Sequence, residues 1–422
     1  MGADAAGEPV MNGSHTVRVM VLDGDYDNAL QVATELSRDL EVTIVGVGTS
    51  ERSRLCRSRH CDIGVTTVPS AHDAYPRHIL DAIETYLPDV VVPVGYHSVA
   101  ALDSIKDRLP AGVETCLPPS RALSSAVDKR ETLEVAADLG IDTPTEYTAF
   151  VTELEEQGCP GEIDRLPFPV FLKARYECGG GVTARVDDPS RFWSTYDDLA
   201  KRADDGELLV QECVPGQRTY GCGLLFTDGS PTMGYTHEEC RSVPRQGGSG
   251  TRVRLFDDRD LEAASVSLLS ALEWNGPALV EYVRRPDGRY VLMEVNPKLW
   301  ASYALASRAG YRFVSRMVTE VLEIPWQPDR RPEASYELVF PLRELHYAAT
   351  QQGESLLRSL AAVCWPPARI DVNHRDLRAW LTPPADPDPS EIDLDTMPAP
   401  LEESPRLGPG ARATADHGGD GL

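Results

Sequence analysis

Three short runs of branched aliphatic residues, Val17–Leu22, Val42–Val47 and Asp89–Val94, alternate with stretches of helical periodicity, and this alternation most constrains the fold. Within each run polar and apolar residues do not alternate, so both faces of the strand are buried. Strands of that kind belong to parallel sheets covered by helices on both sides. The turn Asp23–Asp27 follows the first strand and is expected to cap a helix beginning near Asn28. A second helix, over residues 76–87, leads into the third strand. No GxGxxG follows the first strand, which leaves a dinucleotide site and a dehydrogenase reading unsupported. Gly95, His97 and Ser98 stand at the carboxyl end of the third strand, where open α/β sheets bind ligands. They are candidates for a substrate pocket; the plainer alternative is a turn into a helix.

Pro118-Pro119 marks a boundary. A helical stretch over roughly 121–139 follows, closed by Gly140 with Pro144 beyond. Residues 145–325 read as mixed α/β with several hairpins, and residues 351–365 as a helix. Residues 1–15 are expected to be a disordered leader, and the Pro-, Asp- and Gly-rich stretch 383–422 a disordered acidic tail. No internal repeat recurs at a fixed period.

The segment Ala278–Pro297 carries the strongest chemical signal. Two strands flank Asp287-Gly288, a hairpin turn pair. With those two residues as the loop, Glu281 pairs directly with Glu294, and Asn296 projects from the same face as Glu294. Directly opposed Cβ atoms lie ~4.5–5.5 Å apart, where two like charges repel. A hard divalent cation offsets such repulsion, and Mg²⁺ favours these oxygen ligands together with phosphate oxygens. The competing reading is a solvated acidic hairpin, which is common in so acidic a chain. Asn296-Pro297 after an apolar strand is unusual surface decoration and weighs against it.

Composition gives the lysines weight. Net charge is −25, the isoelectric point is near 4.7, and only Lys106, Lys129, Lys173, Lys201 and Lys298 are lysines among 41 basic residues. Spread acidity with almost no lysine suits a cytoplasm of very high salt, as in a halophile, and excludes nucleic-acid binding through a general basic face. Against that background Lys173 ends the apolar run Pro167–Leu172, and Gly179-Gly180-Gly181 comes six residues later. An ammonium and a glycine loop both suit phosphate. The run Leu208–Cys213 ends at Val214-Pro215-Gly216, a strand end whose backbone is able to pair with an adenine edge. Nine scattered cysteines without CxxC read as thiols in a reducing cytosol, the polar N-terminus is no signal peptide, and no run approaches ~20 apolar residues, so no membrane span is expected.

The order of these pieces resembles the ATP-grasp superfamily: Asp128-Lys129 before a helix, Lys173 at a strand end, a glycine loop, Gln211–Gly216, Glu281, then Glu294-Val295-Asn296-Pro297. The run Asn296–Ser302 and the loop Arg241–Gly250 resemble the carboxylate–amine ligase and carbamoyl-phosphate-synthetase-like branch. The resemblance covers residues 17–325, most specifically 123–303. It implies an α/β fold, α+β in the ATP-binding part, laid out as a Rossmann-like pre-ATP-grasp domain over 16–118, an ATP-grasp domain over 119–325 with its central lid at 145–215, and a C-terminal extension over 326–382. It further implies ATP and one or two Mg²⁺ ions, with Mn²⁺ as a substitute. Lys129 and Lys173 would hold ATP phosphates, Gly179, Gly180 and Gly181 would close over them, and the backbone around Glu212, Cys213 and Val214 would meet adenine. Glu281, Glu294 and Asn296 would ligate the metal, while Arg241 and Arg252 would face the transferred phosphoryl group or the substrate carboxylate. Where this branch commonly has arginine after Asn-Pro, this chain has Lys298, which gives up bidentate geometry at that contact. The activity implied is phosphorylation of a carboxylate to an acyl phosphate and its capture by an amine. The alternatives are a phosphotransferase that stops at the first step and a non-catalytic nucleotide-binding module. The partners implied are small-molecule acid and amine substrates, no nucleic acid and no membrane, in a cytoplasmic chain free to form a homodimer.

Overall fold

The computed structural model describes residues 16–176, 182–203, 206–216, 218–243, 249–329, 331–350, 355–364 and 369–381. The expected leader, the tail from 383 onward and Gly179–Gly181 lie outside them.

The N-terminal part is a parallel sheet of β1 (Val17–Val21), β2 (Val42–Gly48), β3 (Ile63–Thr66), β4 (Val90–Val92) and β5 (Glu114–Thr115), in the order β3-β2-β1-β4-β5. Helices α1 (Asp27–Asp39), α2 (Tyr75–Tyr86) and α3 (Tyr96–Ile105) connect it. Sequence reading missed β3, whose four residues are too few to show a period. The chain leaves β1 towards β2 and returns on the other side at β4, so a crevice opens between the carboxyl ends of β1 and β4.

Asp23 closes the base of that crevice. It sits at φ 57°, a left-handed conformation that Asp tolerates. Its buried carboxylate accepts the N–H groups of Val94 at 3.1 Å and Gly95 at 2.7 Å, and the Ser98 hydroxyl. The expected capping role of this turn is not observed. α1 starts at Asp27 with Tyr26 as its N-cap and no side-chain cap, because the acids of the turn are engaged elsewhere. Asp25 accepts from the Thr49 N–H at 2.9 Å and the Ser53 hydroxyl at 2.6 Å.

The helical stretch after Pro119 is two helices, α4 (Ser120–Val127) and α5 (Lys129–Asp138), broken at Asp128. The Asp128 carboxylate accepts from the N–H groups of Arg130 and Glu131, so it starts a second helix where periodicity alone predicts one continuous helix. An antiparallel sheet in the order β7-β6-β8 follows, made of β6 (Val170–Ala174), β7 (Thr183–Val186) and β8 (Leu208–Glu212) and backed by α6 (Thr148–Gln157) and α7 (Phe192–Ala200). The largest sheet has the order β13-β12-β9-β10-β11-β14-β15. Its strands are β9 (Thr219–Thr227), β10 (Ser230–Val243), β11 (Ser249–Phe256), β12 (Gly276–Arg284), β13 (Tyr290–Asn296), β14 (Glu337–Val339) and β15 (Arg369–Ile370). Helices α8 (Arg259–Ala271), α9 (Tyr303–Ala309), α10 (Phe313–Val321), α11 (Pro341–Thr350), α12 (Leu356–Cys364) and α13 (Leu377–Leu381) complete the chain. The described part of the C-terminal extension is therefore woven into the main sheet, with β14 paired to β11.

One apolar core joins the two halves: Val19, Ala29, Val32 and Leu36 share a cluster with Trp300, Tyr303, Phe313 and Leu338. Glu35, fully buried on α1, accepts from the Tyr303 hydroxyl at 2.8 Å and from the first N–H groups of α10, Val314 at 3.0 Å and Ser315 at 3.1 Å. Burial pushes its carboxyl above the usual range despite these donors. Next to it, buried Arg312 meets Asp39 at 3.1 Å. This polar seam fixes the crevice of the parallel sheet against the main sheet. Among the described residues all eight cysteines are free, and no helix is long and apolar enough to cross a membrane. Replacing Glu35 by Ala strands three buried donors. The expected loss is on the order of 3 kcal/mol in chemical denaturation, and an unchanged midpoint contradicts the seam's role.

Candidate active site

The hairpin β12–β13 brings two carboxylates and a carboxamide together. Glu281 pairs with Glu294, and the Asn296 side-chain N–H₂ donates to Glu281 at 2.6 Å and to Glu294 at 3.0 Å. The expected register holds here for a reason the sequence does not show. The turn is longer than Asp287-Gly288: Arg285 N–H bonds Arg289 O, Gly288 N–H bonds Arg285 O, and Gly288 takes φ +94°. That shifts the pairing near the turn by one residue, to Arg284 with Tyr290 and Val283 with Val291. An irregularity between Glu281 and Tyr282 leaves Met293 without a partner and restores the pairing at Glu281.

Met293 is the point where the first lysine enters. Lys173, buried at the end of β6, donates its ammonium to Met293 O at 3.1 Å. Lys129 is buried at the first position of α5. The two are positioned together by Asp128 and Arg175. Arg175 grips Asp128 with Nε at 2.8 Å and Nη2 at 2.5 Å, while Lys129 N–H bonds Arg175 O at 3.1 Å. A single bidentate pair thus ties the start of α5 to the strand that carries Lys173.

The charges follow from this packing. Burial brings the Lys173 ammonium down to about 8, opposed by Glu294 and reinforced by Lys129. Burial acts to raise Glu294, but Lys129, then its bond with Glu281, then Lys173 outweigh it and hold it low. Glu281 is pushed well above the usual range, by burial first and then by the charge of Glu294. Ionising both acids at once is therefore unfavourable in the protein alone, and a divalent cation between them would remove that penalty. Among the described residues no three His, Cys, Asp or Glu side chains gather into a metal cage. A cation held by two carboxylates and a carboxamide must draw further oxygens from a ligand or water, as Mg²⁺ commonly does.

The strand end expected to meet adenine lies beside this cluster. Glu212 N–H bonds Thr145 O at 2.9 Å, and its carboxylate takes Thr145 N–H at 3.1 Å and Arg285. Cys213 N–H reaches Pro169 O at 3.4 Å, and Val214 N–H has no partner among the described residues. Gly216 is required by close approach, since a Cβ there would stand 2.3 Å from Val283 Cγ1 and 2.9 Å from Arg284 O. Arg241 and Arg252 are cross-strand neighbours on β10 and β11. Each is gripped by a carboxylate of the C-terminal segment, Arg241 by buried Glu344 at 2.5 Å and Arg252 by Glu337.

Lys298 follows the hairpin and lines a cavity of about 350 Å³ with Asp25, Tyr26, Asp27, Asn28, Arg54, Val94, Gly95, Leu299, Ala301 and Arg343. This is the β1–β4 crevice, closed from above by the loop after β13; Asn28 donates to Leu299 O at 2.8 Å. Of the three pocket candidates on the third strand only Gly95 lines it. Ser98 is buried against Asp23, and His97 is exposed and packs on Tyr96. Two further residues escaped sequence reading. Arg343 lies in a segment without a motif, and one arginine among 36 carries no signal. Glu239 faces Glu281 from β10 and is pushed up to about 7 by burial, although Ser242 donates to it at 3.0 Å; the doublet Glu238-Glu239 gives no hint of which acid turns inward.

Several solved structures share the architecture. The biotin carboxylase domain of Hydrogenobacter thermophilus 2-oxoglutarate carboxylase, solved with MgADP, ADP and bicarbonate, superposes with TM-score 0.61 at 13% identity, over 76% of this chain and 72% of that one. The ADP complex of the N5-carboxyaminoimidazole ribonucleotide synthetase purK gives TM-score 0.60 at 14% identity, over 81% and 86%. The chain has the ATP-grasp fold. Within it, residues 128–320 match the family described as carbamoyl-phosphate synthase L chain, ATP binding domain. The carbamoyl phosphate synthase large chain of Methanosarcina barkeri is 22% identical over 222 residues, which is 50% of this chain and 20% of that protein, so the chain spans about a fifth of that relative.

Two outcomes test the electrostatics. In metal-free protein, Glu281→Gln mimics the protonated acid. A raised folded-state value means stability is lost as pH rises from the carboxylate range, so the variant is expected to be more stable by about 1 kcal/mol at neutral pH and unchanged near pH 4.5. Equal stability at neutral pH removes the repulsion. As pH rises through about 8 Lys173 loses its proton, so ADP binding by titration calorimetry is expected to weaken there, and Lys173→Arg to flatten the profile. A wild-type profile flat across that range speaks against a charge-bearing role.

Proposed function

We propose that the chain is an ATP- and Mg²⁺-dependent ligase that converts a carboxylate to an acyl phosphate and joins it to an amine, releasing ADP and phosphate. The observation that carries this reading is the meeting of Glu281, Glu294 and Asn296 beside two buried lysines. Mg²⁺ bound by these three side chains would carry ATP phosphate oxygens and balance the charge of the acid pair. Lys173 and Lys129 hold the phosphates, and the backbone of Glu212, Cys213 and Val214 holds the base. Arg241 and Arg252, fixed by Glu344 and Glu337, face the transferred group and bear the charge that develops on it. Lys298 draws the acid's carboxylate from the crevice to the γ-phosphate.

A carboxylate oxygen then attacks phosphorus as the bond to the β-phosphate oxygen breaks and ADP departs. The amine nitrogen attacks the acyl carbon, the carbon–oxygen bond breaks, and phosphate leaves with the amine's proton. No side-chain nucleophile is required, which agrees with cysteines whose thiols burial pushes up, such as Cys222 to about 12.

The decisive measurement is ADP release in high salt with Mg²⁺, crossing carboxylic acids against amines. Release that needs both substrates is expected, and release with an acid alone, leaving no amide in the presence of amine, replaces the ligase by a phosphotransferase. Glu294→Gln is expected to lower the rate by roughly 100-fold or more at unchanged circular dichroism. A fully active variant ends the metal-binding role.

A further inference from the structure

The crevice between β1 and β4 has a charge pattern that narrows the acid it accepts. On the hairpin side stand Lys298 and Arg343. Lys298 is half-buried and has no hydrogen bond or ion pair among the described residues, and its charge is felt at Glu281, so it lies between the acid pair and the crevice. Arg343 is held in place by Gly250 O at 3.2 Å, Ala301 O at 3.3 Å and the Phe340 ring at 4.3 Å. On the opposite side stand Asp25, Tyr26, Asp27 and Asn28. Asp27 meets Arg54 at 3.1 Å through one oxygen and keeps 33% of its side chain exposed. Between these two charged sides Val94, Leu299, Ala301 and the Tyr26 ring supply an apolar wall.

We infer that the acid is a small amino acid, with its carboxylate against Lys298 and Arg343 and its ammonium against Asp27 and Asp25; this rests on the ligase reading above. Other ligand classes fit less well. A simple carboxylate answers the cations but offers nothing to Asp27 and Asp25 on the opposite side. An apolar acid covers the apolar wall but pairs with neither Asp27 nor Asp25. A phosphorylated sugar or nucleotide needs free cations at the far end, yet Arg54, the cation there, is committed to Asp27 and to Trp380 O at 2.9 Å. The volume of about 350 Å³ lies at the lower end of small-molecule sites, which suits a molecule of this size.

The test uses the full chain with MgATP and hydroxylamine as the amine, so that each acyl phosphate is read as a hydroxamate while only the acid varies. Alanine, serine, aspartate and glutamate are compared with propionate, 3-hydroxypropionate, succinate and glutarate. At least one amino acid is expected to exceed its deamino partner by about tenfold in kcat/KM, the discrimination lost when a buried polar group goes unpaired. Asp27→Asn is expected to raise KM for the amino acid and bring that ratio towards one, whereas Arg343→Lys raises KM for both members of the pair. Asp27→Glu keeps the charge opposite Arg54 and is expected to keep the preference, which separates recognition from damage to the fold. Equal use of deamino acids, or a preference untouched by Asp27→Asn, overturns the amino-acid assignment and leaves the ligase standing. If no acid of either kind yields hydroxamate or ADP, the ligase reading falls and this inference falls with it.

Discussion

Opposed carboxylates on adjacent strands are a liability in any sheet, and the pair Glu281 and Glu294 is the constraint to which the surrounding structure responds. Asn296 bridges the two, Lys129 and Lys173 lower the cost of keeping Glu294 ionised, and burial together with Glu294 drives Glu281 towards its protonated form. A structural hairpin has no reason to keep such an arrangement, because replacing Glu281 by Gln relieves it. A site built to take a cation together with an anionic ligand would have a reason, since the cation offsets the repulsion that makes Glu281 hold its proton. Stability held back by that repulsion would thereby be available for binding.

Placing two lysines over that pair requires parts that are distant in sequence. Lys173 comes from the three-stranded sheet, Lys129 from the start of a helix, and the acids from the edge of the main sheet. The bidentate grip of Arg175 on Asp128 joins the first two, and the unpaired Met293 joins the third by offering its carbonyl to Lys173. The C-terminal segment joins in the same way. β14 pairs with β11, and the residues around it bring Glu337 and Glu344 to Arg252 and Arg241. Those arginines have fixed orientations because a later segment holds them.

Much of this was legible in the sequence. Buried strands, the pairing of Glu281 with Glu294 and the prominence of Lys173 follow from apolar runs, a turn pair and the scarcity of lysine, whereas Lys129 is indicated by the resemblance alone. The pairing was right through two compensating departures, a longer turn and an unpaired Met293, which local propensity does not encode. The break at Asp128 was hidden because Asp is tolerated inside a helix pattern until its carboxylate finds the N–H groups ahead of it. Arg343, Glu344 and Glu239 were illegible for another reason. In a chain so rich in Arg, Asp and Glu these residue types carry no information singly, and only the pairing of β14 with β11 and the inward face of β10 select them.

That same composition sharpens the meaning of the lysines. With 36 arginines available, arginine takes the buried ion pairs: Arg312 with Asp39, Arg241 with Glu344, Arg175 with Asp128. A planar fork suits a fixed carboxylate, and it is always charged. Lys173 is placed differently. Its compact ammonium lies under the edge of β13 against a single carbonyl, and burial lets its proton affinity fall towards neutrality, which lowers the electrostatic cost of keeping it there. On the proposed ligase reading Lys298 has a matching part at the crevice. A point charge on a flexible stem would follow a carboxylate from the crevice to the phosphate, whereas a forked guanidinium would hold it in one place. Arg343, anchored by two carbonyls and a ring, would be the fixed half of that pair and Lys298 the movable half.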